Sequence, residues 1–403
     1  MGSGGFSKER LDRMHDVMAT HVEQGRVPGL VALVSRRGEV HVEAVGTKAV
    51  GGSDPMPRNT IFRITSMTKP VTAVATMILV EECRLRLDDP VDGLLPELAG
   101  RRVLARPDGL LDDTVPANRP ITVRDLLTFT WGFGIDFSLE FGKDLFPIQQ
   151  AATDLQVYGL GPPTPPVPHT PDEWIRRLGT LPLMAQPGER WLYNTGSLVL
   201  GVLIARASGQ PFETFLRERI FEPLGMKDTA FSVPAEKIGR LATCYAPDPA
   251  SGKLQLFDPA QDGQWSRPPA FPDGGAGLVS TVDDYLAFGQ MLLNRGILGS
   301  ERILSRPSVE TMTIGQLTPE QKARSGEGWD RFDWGFGMSI LVRRDGIAAT
   351  PGRYGWDGGY GTSWSTDPAE DMVGILMTQC LGYPPLSPVY LDFWTTAYQA
   401  IDD

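Results

Sequence analysis

Cysteine, histidine and clustered positive charge are all scarce in this chain, and each shortage removes a class of function. Three cysteines, Cys83, Cys244 and Cys380, stand far apart in 403 residues. No C-x-x-C occurs, which argues against a zinc knuckle or a dithiol redox motif. Free cysteine packs as a small hydrophobe, so three buried, reduced thiols are expected, in keeping with a cytoplasmic protein. The four histidines, His15, His21, His41 and His169, do not cluster in sequence, and H-E-x-x-H is missing. A histidine-held metal is therefore not indicated, and no metal or other cofactor is expected. G-x-S-x-G, the element that exposes the serine of α/β-hydrolases, is also missing.

Charge and hydropathy exclude further classes. Against 49 acidic residues the chain has 38 basic ones, a formal charge of −11. An acidic surface repels phosphate backbones, so nucleic acid is not an expected partner. There is no basic run to suit an anionic lipid surface. The apolar run from Val71 to Val80 is far short of the ~20 residues that span a bilayer. The first residues, MGSGGFSKERLDRMHDVM, lack the apolar stretch of a secretory leader. The expectation is a soluble, cytoplasmic protein with no membrane partner; its oligomeric state is left open.

What is present is ordinary globular material, 41% hydrophobic and 22% charged. At roughly 100–200 residues per unit, the length suggests two or three units. Leu11, Met14, Val17, Met18 and Val22 recur at helical spacing. LVALVSRRGEVHVEAVG places two β-rich runs around Arg37-Gly38, a hairpin pattern. TSMTKPVTAVATMILVEECRL then predicts a long apolar helix. The middle of the chain alternates helical pieces with Pro/Gly-rich stretches, of which residues 159–171 are the most marked; loops this long are often covers over a site. From about Trp334 strand patterns return, and YLDFWTTAYQAI predicts a final helix. The expected fold class is α+β. Residues 1–85 and 270–403 would form an α/β domain with an antiparallel sheet, and 86–269 a mainly helical domain, with a site in the cleft between them.

Three segments carry chemistry. In Ser66-Met67-Thr68-Lys69-Pro70, residues three apart share a helix face, so the Lys69 amine can approach the Ser66 hydroxyl. Main-chain N–H groups at a helix start favour an alkoxide, and a lysine stripped of water loses its proton more readily. Alone, S-x-x-K arises by chance in a chain of this length and fits a serine cap followed by a surface lysine better than a catalytic pair. The second segment ends Trp191-Leu192-Tyr193-Asn194-Thr195-Gly196, placing Tyr193 just ahead of a helix where it can exchange a proton with Lys69. In the third, Gly355-Trp356-Asp357-Gly358-Gly359-Tyr360-Gly361, glycines between strands mark a close backbone approach, and an N–H there can join that of Ser66 as an oxyanion hole.

Together and in this order, the three segments resemble the class C β-lactamase and penicillin-binding-protein superfamily, in pattern closest to family VIII carboxylesterases and related acyltransferases. ITVRDLLTFTWGF, FLRERIFEPLGMKDTAF and GGAGLVSTVDDYLAF are similar to family phrases as well. The resemblance implies acylation of Ser66, Lys69 and Tyr193 as proton carriers, and the N–H groups of Ser66 and Gly359 as oxyanion hole. Two departures stand out. The family's Tyr-x-Asn reads Tyr193-Asn194-Thr195, with the asparagine displaced. Its Lys-Thr-Gly has Trp356 in first place, where an apolar wall replaces a cation suited to a substrate carboxylate. The expected substrate is thus a small neutral ester or acyl compound, bound near Trp356, Asp357, Gly358, Asn194, Trp131 and Phe133. Transfer to another acceptor, amide hydrolysis, β-lactam or D-alanyl peptide hydrolysis, and a non-catalytic binding or scaffold role are the alternatives.

Overall fold

A computed structural model describes residues 4–137, 145–157, 167–348, 350–382 and 387–403. The 159–171 stretch therefore lies, up to residue 166, outside the described residues. A seven-stranded antiparallel sheet organises the chain. Its strands are β1 (Gly29–Arg36), β2 (Glu39–Gly46), β3 (Phe332–Trp334), β4 (Ser339–Leu341), β5 (Tyr354–Gly358), β6 (Thr362–Asp367) and β7 (Met372–Met377). Their order across the sheet is β3-β4-β5-β6-β7-β1-β2, so the first hairpin of the chain completes a sheet begun by its last strands. β1 and β7 pair from Val31↔Met377 to Arg36↔Met372.

Strand alternation assigns the two faces. Leu30, Ala32, Val34, Met372 and Leu376 pack with Met14 and Met18 of α1 (Lys8–Glu23) and with Phe393 and Trp394 of the last helix, Pro388–Gln399. Val31, Leu33, Val373, Ile375 and Met377 face the other way, into the main core. That core holds α2 (Thr68–Glu81), whose residues from Thr68 to Leu79 are all buried. It also holds α3 (Val123–Thr128), α4 (Thr195–Ser208) and α5 (Val282–Leu293); the last helix is α6. A continuous apolar run is what a helix buried on all sides requires. α3 starts at a capping box in which Thr122 and Asp125 satisfy each other's main-chain N–H groups.

One expectation about the cysteines is corrected. Cys244 is buried and Cys380 partly so, but Cys83 is exposed, because it follows the C-terminal end of α2 in a turn with positive φ. Among the described residues no helix is long and apolar enough to cross a membrane, and no three His, Cys, Asp or Glu side chains group as metal ligands.

Candidate active site

The segment carrying Ser66 is pinned from several sides. Arg63, wholly buried, donates to Asp258 Oδ2 (2.7 Å), Ala242 O (2.6 Å) and Gln379 Oε1 (2.9 Å). Ile64 N–H donates to Leu278 O at 3.0 Å. Thr65 takes φ +44°, a region that β-branched residues avoid, so the turn into Ser66 is strained and held by its surroundings. A short 3₁₀ turn, Thr65–Met67, follows and runs directly into α2. Tyr285 of α5 donates its hydroxyl to Met67 O at 2.7 Å, fixing this turn from below.

On this support Lys69 Nζ lies 3.0 Å from Ser66 Oγ. The amine also donates to Gly275 O at 2.7 Å and sits 4.6 Å from the centre of the Tyr193 ring. Lys69 has no exposed surface. Burial pulls its ammonium down to about 7, and Asp273 opposes that fall. Burial raises the Asp273 carboxyl in turn. A lysine in this range exchanges a proton with a neighbouring hydroxyl near neutral pH.

Tyr193 reaches the site on an irregular loop braced by an antiparallel bridge, Ile135↔Tyr193, with both hydrogen bonds 2.8 Å. The bridge depends on Gly134, whose absent side chain would meet Tyr193 O at 2.5 Å and Leu192 O at 2.6 Å. Trp356 Nε1 donates to the Tyr193 hydroxyl at 2.8 Å. Rings of Phe129, Phe137, Trp191, Trp334 and Trp356 surround that of Tyr193, with centroids 5.3–6.4 Å away. Asn194, nearly buried, lies with its Oδ1 against Gly275, 3.2 Å from where a side chain there would begin. The displaced asparagine thus stays beside the residue whose carbonyl Lys69 contacts. At the end of β5, Gly358 passes so close to the Ser66 segment that a Cβ would run into Ile64 O and Thr362 Oγ1, and would stand 2.6 Å from Thr65 Oγ1. Gly359 follows at the strand end, its carbonyl accepting from Gly382 N–H at 3.1 Å.

Ser66, Lys69, Tyr193, Trp356, Gly358 and Asn194 are therefore brought into one neighbourhood, but three other expected residues are not. Asp357 points to the opposite face of β5, as strand alternation requires. Ser363 donates to its Oδ1 at 2.6 Å, and Ser363 in turn accepts from Trp394 of α6 at 3.2 Å. Trp131 and Phe133 are buried in the main core. The segment after α3 is irregular, with Phe129 left-handed and Gly132 at φ +102°, and it turns Phe129 and Ile135 toward Tyr193 while Trp131 and Phe133 pack into the main core. The histidines engage elsewhere: His15 and His41 with Glu43, His21 with Asp392, His169 with Leu155 O. Asp273 was missed in the sequence, where Asp-Gly-Gly reads as a plain turn.

An antiparallel sheet with helices on both faces, and a serine–lysine pair where a buried helix starts beside its fifth strand, define the β-lactamase/transpeptidase-like fold, α+β in class. The chain belongs to the beta-lactamase family, whose model matches residues 14–391. It is similar to Protein Rv1367c of Mycobacterium tuberculosis, 38% identical over 89% of this chain and 87% of the relative. It is similar also to Esterase EstB of Burkholderia gladioli, 32% identical over 92% of this chain and 89% of the relative. In fold it is similar to the solved structure of EstCE1, a hydrolase with promiscuous acyltransferase activity. That match has a TM-score of 0.77 at 24% identity, covering 97% of this chain and 99% of the other.

Proposed function

We propose that this protein hydrolyses small, neutral carboxylic esters through an acyl-enzyme on Ser66. The observation that carries the reading is the 3.0 Å contact between Ser66 Oγ and the Lys69 amine, whose proton affinity burial brings down to about 7. Neutral Lys69 takes the hydroxyl proton as Ser66 attacks the acyl carbonyl. The main-chain N–H groups of Ser66 and Gly359 receive the oxyanion. Tyr193 returns a proton to the departing alcohol, and water then releases the acyl group. Trp356 offers an indole where a cation would suit a carboxylated substrate, which favours neutral esters over β-lactams and peptidoglycan stems. The esterase name of EstB agrees with this reading.

The rings around Tyr193 favour a second outcome from the same acyl-enzyme, transfer to an apolar alcohol in place of water, in line with the promiscuous acyltransferase activity of EstCE1. The ratio of alcoholysis to hydrolysis products separates the two.

Hydrolysis of p-nitrophenyl butyrate by the wild type and by Ser66→Ala tests the proposal. The variant is expected to lose at least ~10³-fold in kcat/KM. A variant that keeps its activity would overturn it.

A further inference from the structure

We infer that Asp273 is a positioning residue for Lys69: its buried carboxylate holds the Gly275 carbonyl on the lysine amine and supplies the negative charge that faces the ammonium once Lys69 has taken the Ser66 proton. This rests on the reading of Ser66 as the nucleophile.

The geometry is a relay through the main chain. Asp273 Oδ1 accepts from Gly275 N–H at 2.6 Å and from Ala276 N–H at 3.1 Å. These two bonds fix the turn whose Gly275 carbonyl accepts from Lys69 Nζ at 2.7 Å. The same segment is stitched along α2. Thr72 donates to Gly274 O at 2.7 Å, and Leu278 N–H donates to Thr68 Oγ1 at 3.2 Å. Asp273 is 5% exposed, and the cation it interacts with is Lys69.

A hydrogen-bond acceptor alone does not explain an aspartate here. Asparagine or serine accepts main-chain N–H bonds equally well. A buried carboxylate is costly unless paired or richly hydrogen-bonded. The negative charge therefore has a use, and the amine of Lys69 is where it acts. Ser66 faces that amine from its own turn, Tyr193 from the loop before α4, and Asp273 and Gly275 from the segment beside α2.

The charge has two opposed effects. It raises the proton affinity of Lys69, so less of the lysine is neutral at a given pH. It also stabilises the ammonium formed when Ser66 gives up its proton. Removing the charge while keeping the acceptor moves the acid limb of the rate to lower pH and lowers the plateau. A residue that merely held the turn would change the plateau alone.

The experiment is the pH profile, from pH 5 to 9, of Ser66 modification by a fluorophosphonate probe in wild type and Asp273→Asn. The wild-type limb is expected near pH 7, and the variant's about one unit lower, with a severalfold lower plateau. A variant limb that coincides with the wild-type limb overturns the inference and leaves Ser66 as nucleophile. A wild type that takes no probe overturns the serine reading itself. If D273N does not fold, Asp273→Ser, whose hydroxyl also accepts from main-chain N–H groups, carries the same comparison.

Discussion

Ser66 and Lys69 were legible in the sequence because their relation is local: three positions on a helix start bring one side chain to the other, whatever the rest of the chain does. Asp273 was not, because the carbonyl it steadies lies 206 positions from Lys69 and only folding joins them. Trp356 stands between these cases. Its sequence position suggested an apolar wall, and the structure adds a second property, an N–H aimed at the Tyr193 hydroxyl. Indole nitrogen donates and never accepts, so the Tyr193 oxygen is the acceptor in this bond and its own O–H is left in the donor role that delivery of a proton to the departing alcohol needs. Trp356→Phe keeps the ring and removes the donor. A neutral hydrogen bond of this kind contributes about 1 kcal/mol. The variant should lose roughly three- to tenfold in kcat/KM on p-nitrophenyl butyrate, with little change in melting temperature. Unchanged kinetics would show that Tyr193 does not depend on the indole.

Elements obey periodicities that the sequence displays but does not orient. The β1–β2 hairpin about Arg37-Gly38 and the helices α1, α2 and α6 were readable from their patterns, and all form. Residues 355–358, expected between strands, instead belong to β5, and which of them face the site was not legible. Trp356 does, and Asp357 sits under α6 with Ser363 and Trp394. The segment after α3 does likewise, presenting Phe129 and Ile135 where Trp131 and Phe133 were expected. The contact between β5 and α6 has a pH signature. Burial pushes the Asp357 carboxyl up to about 6, above its ordinary range. The protonated form therefore supports the fold below the ordinary carboxylate range, and that support is lost as pH rises through about 6. Asp357→Asn stays neutral throughout, so its melting temperature should exceed that of the wild type at pH 8 and match it below about pH 4. An equal difference at both pH values would mean that packing, not charge, controls the contact.

At the scale of the molecule the central fact is that the sheet is closed by strands from opposite parts of the chain. Leu33 of β1 stands opposite Ile375 of β7, and both are fully buried. Either residue changed to alanine should cost about 2–5 kcal/mol in urea unfolding. The double variant should cost less than the sum, because neighbouring truncations share one cavity. Strict additivity would show that the two side chains do not share a cavity. The pairing of first with last was inferable from strand-rich ends around a helical middle, but the register and the order of strands were not, since they depend on contacts made only after collapse. The same closure acts during synthesis. At roughly 5–20 residues per second, a ribosome delivers β7 about twenty seconds to a minute after β1. Throughout that interval β1, whose eight residues are all buried in the finished sheet, has β2 along one edge and water along the other. An apolar edge left unpaired that long invites association between nascent chains, and only the arrival of β7 removes it.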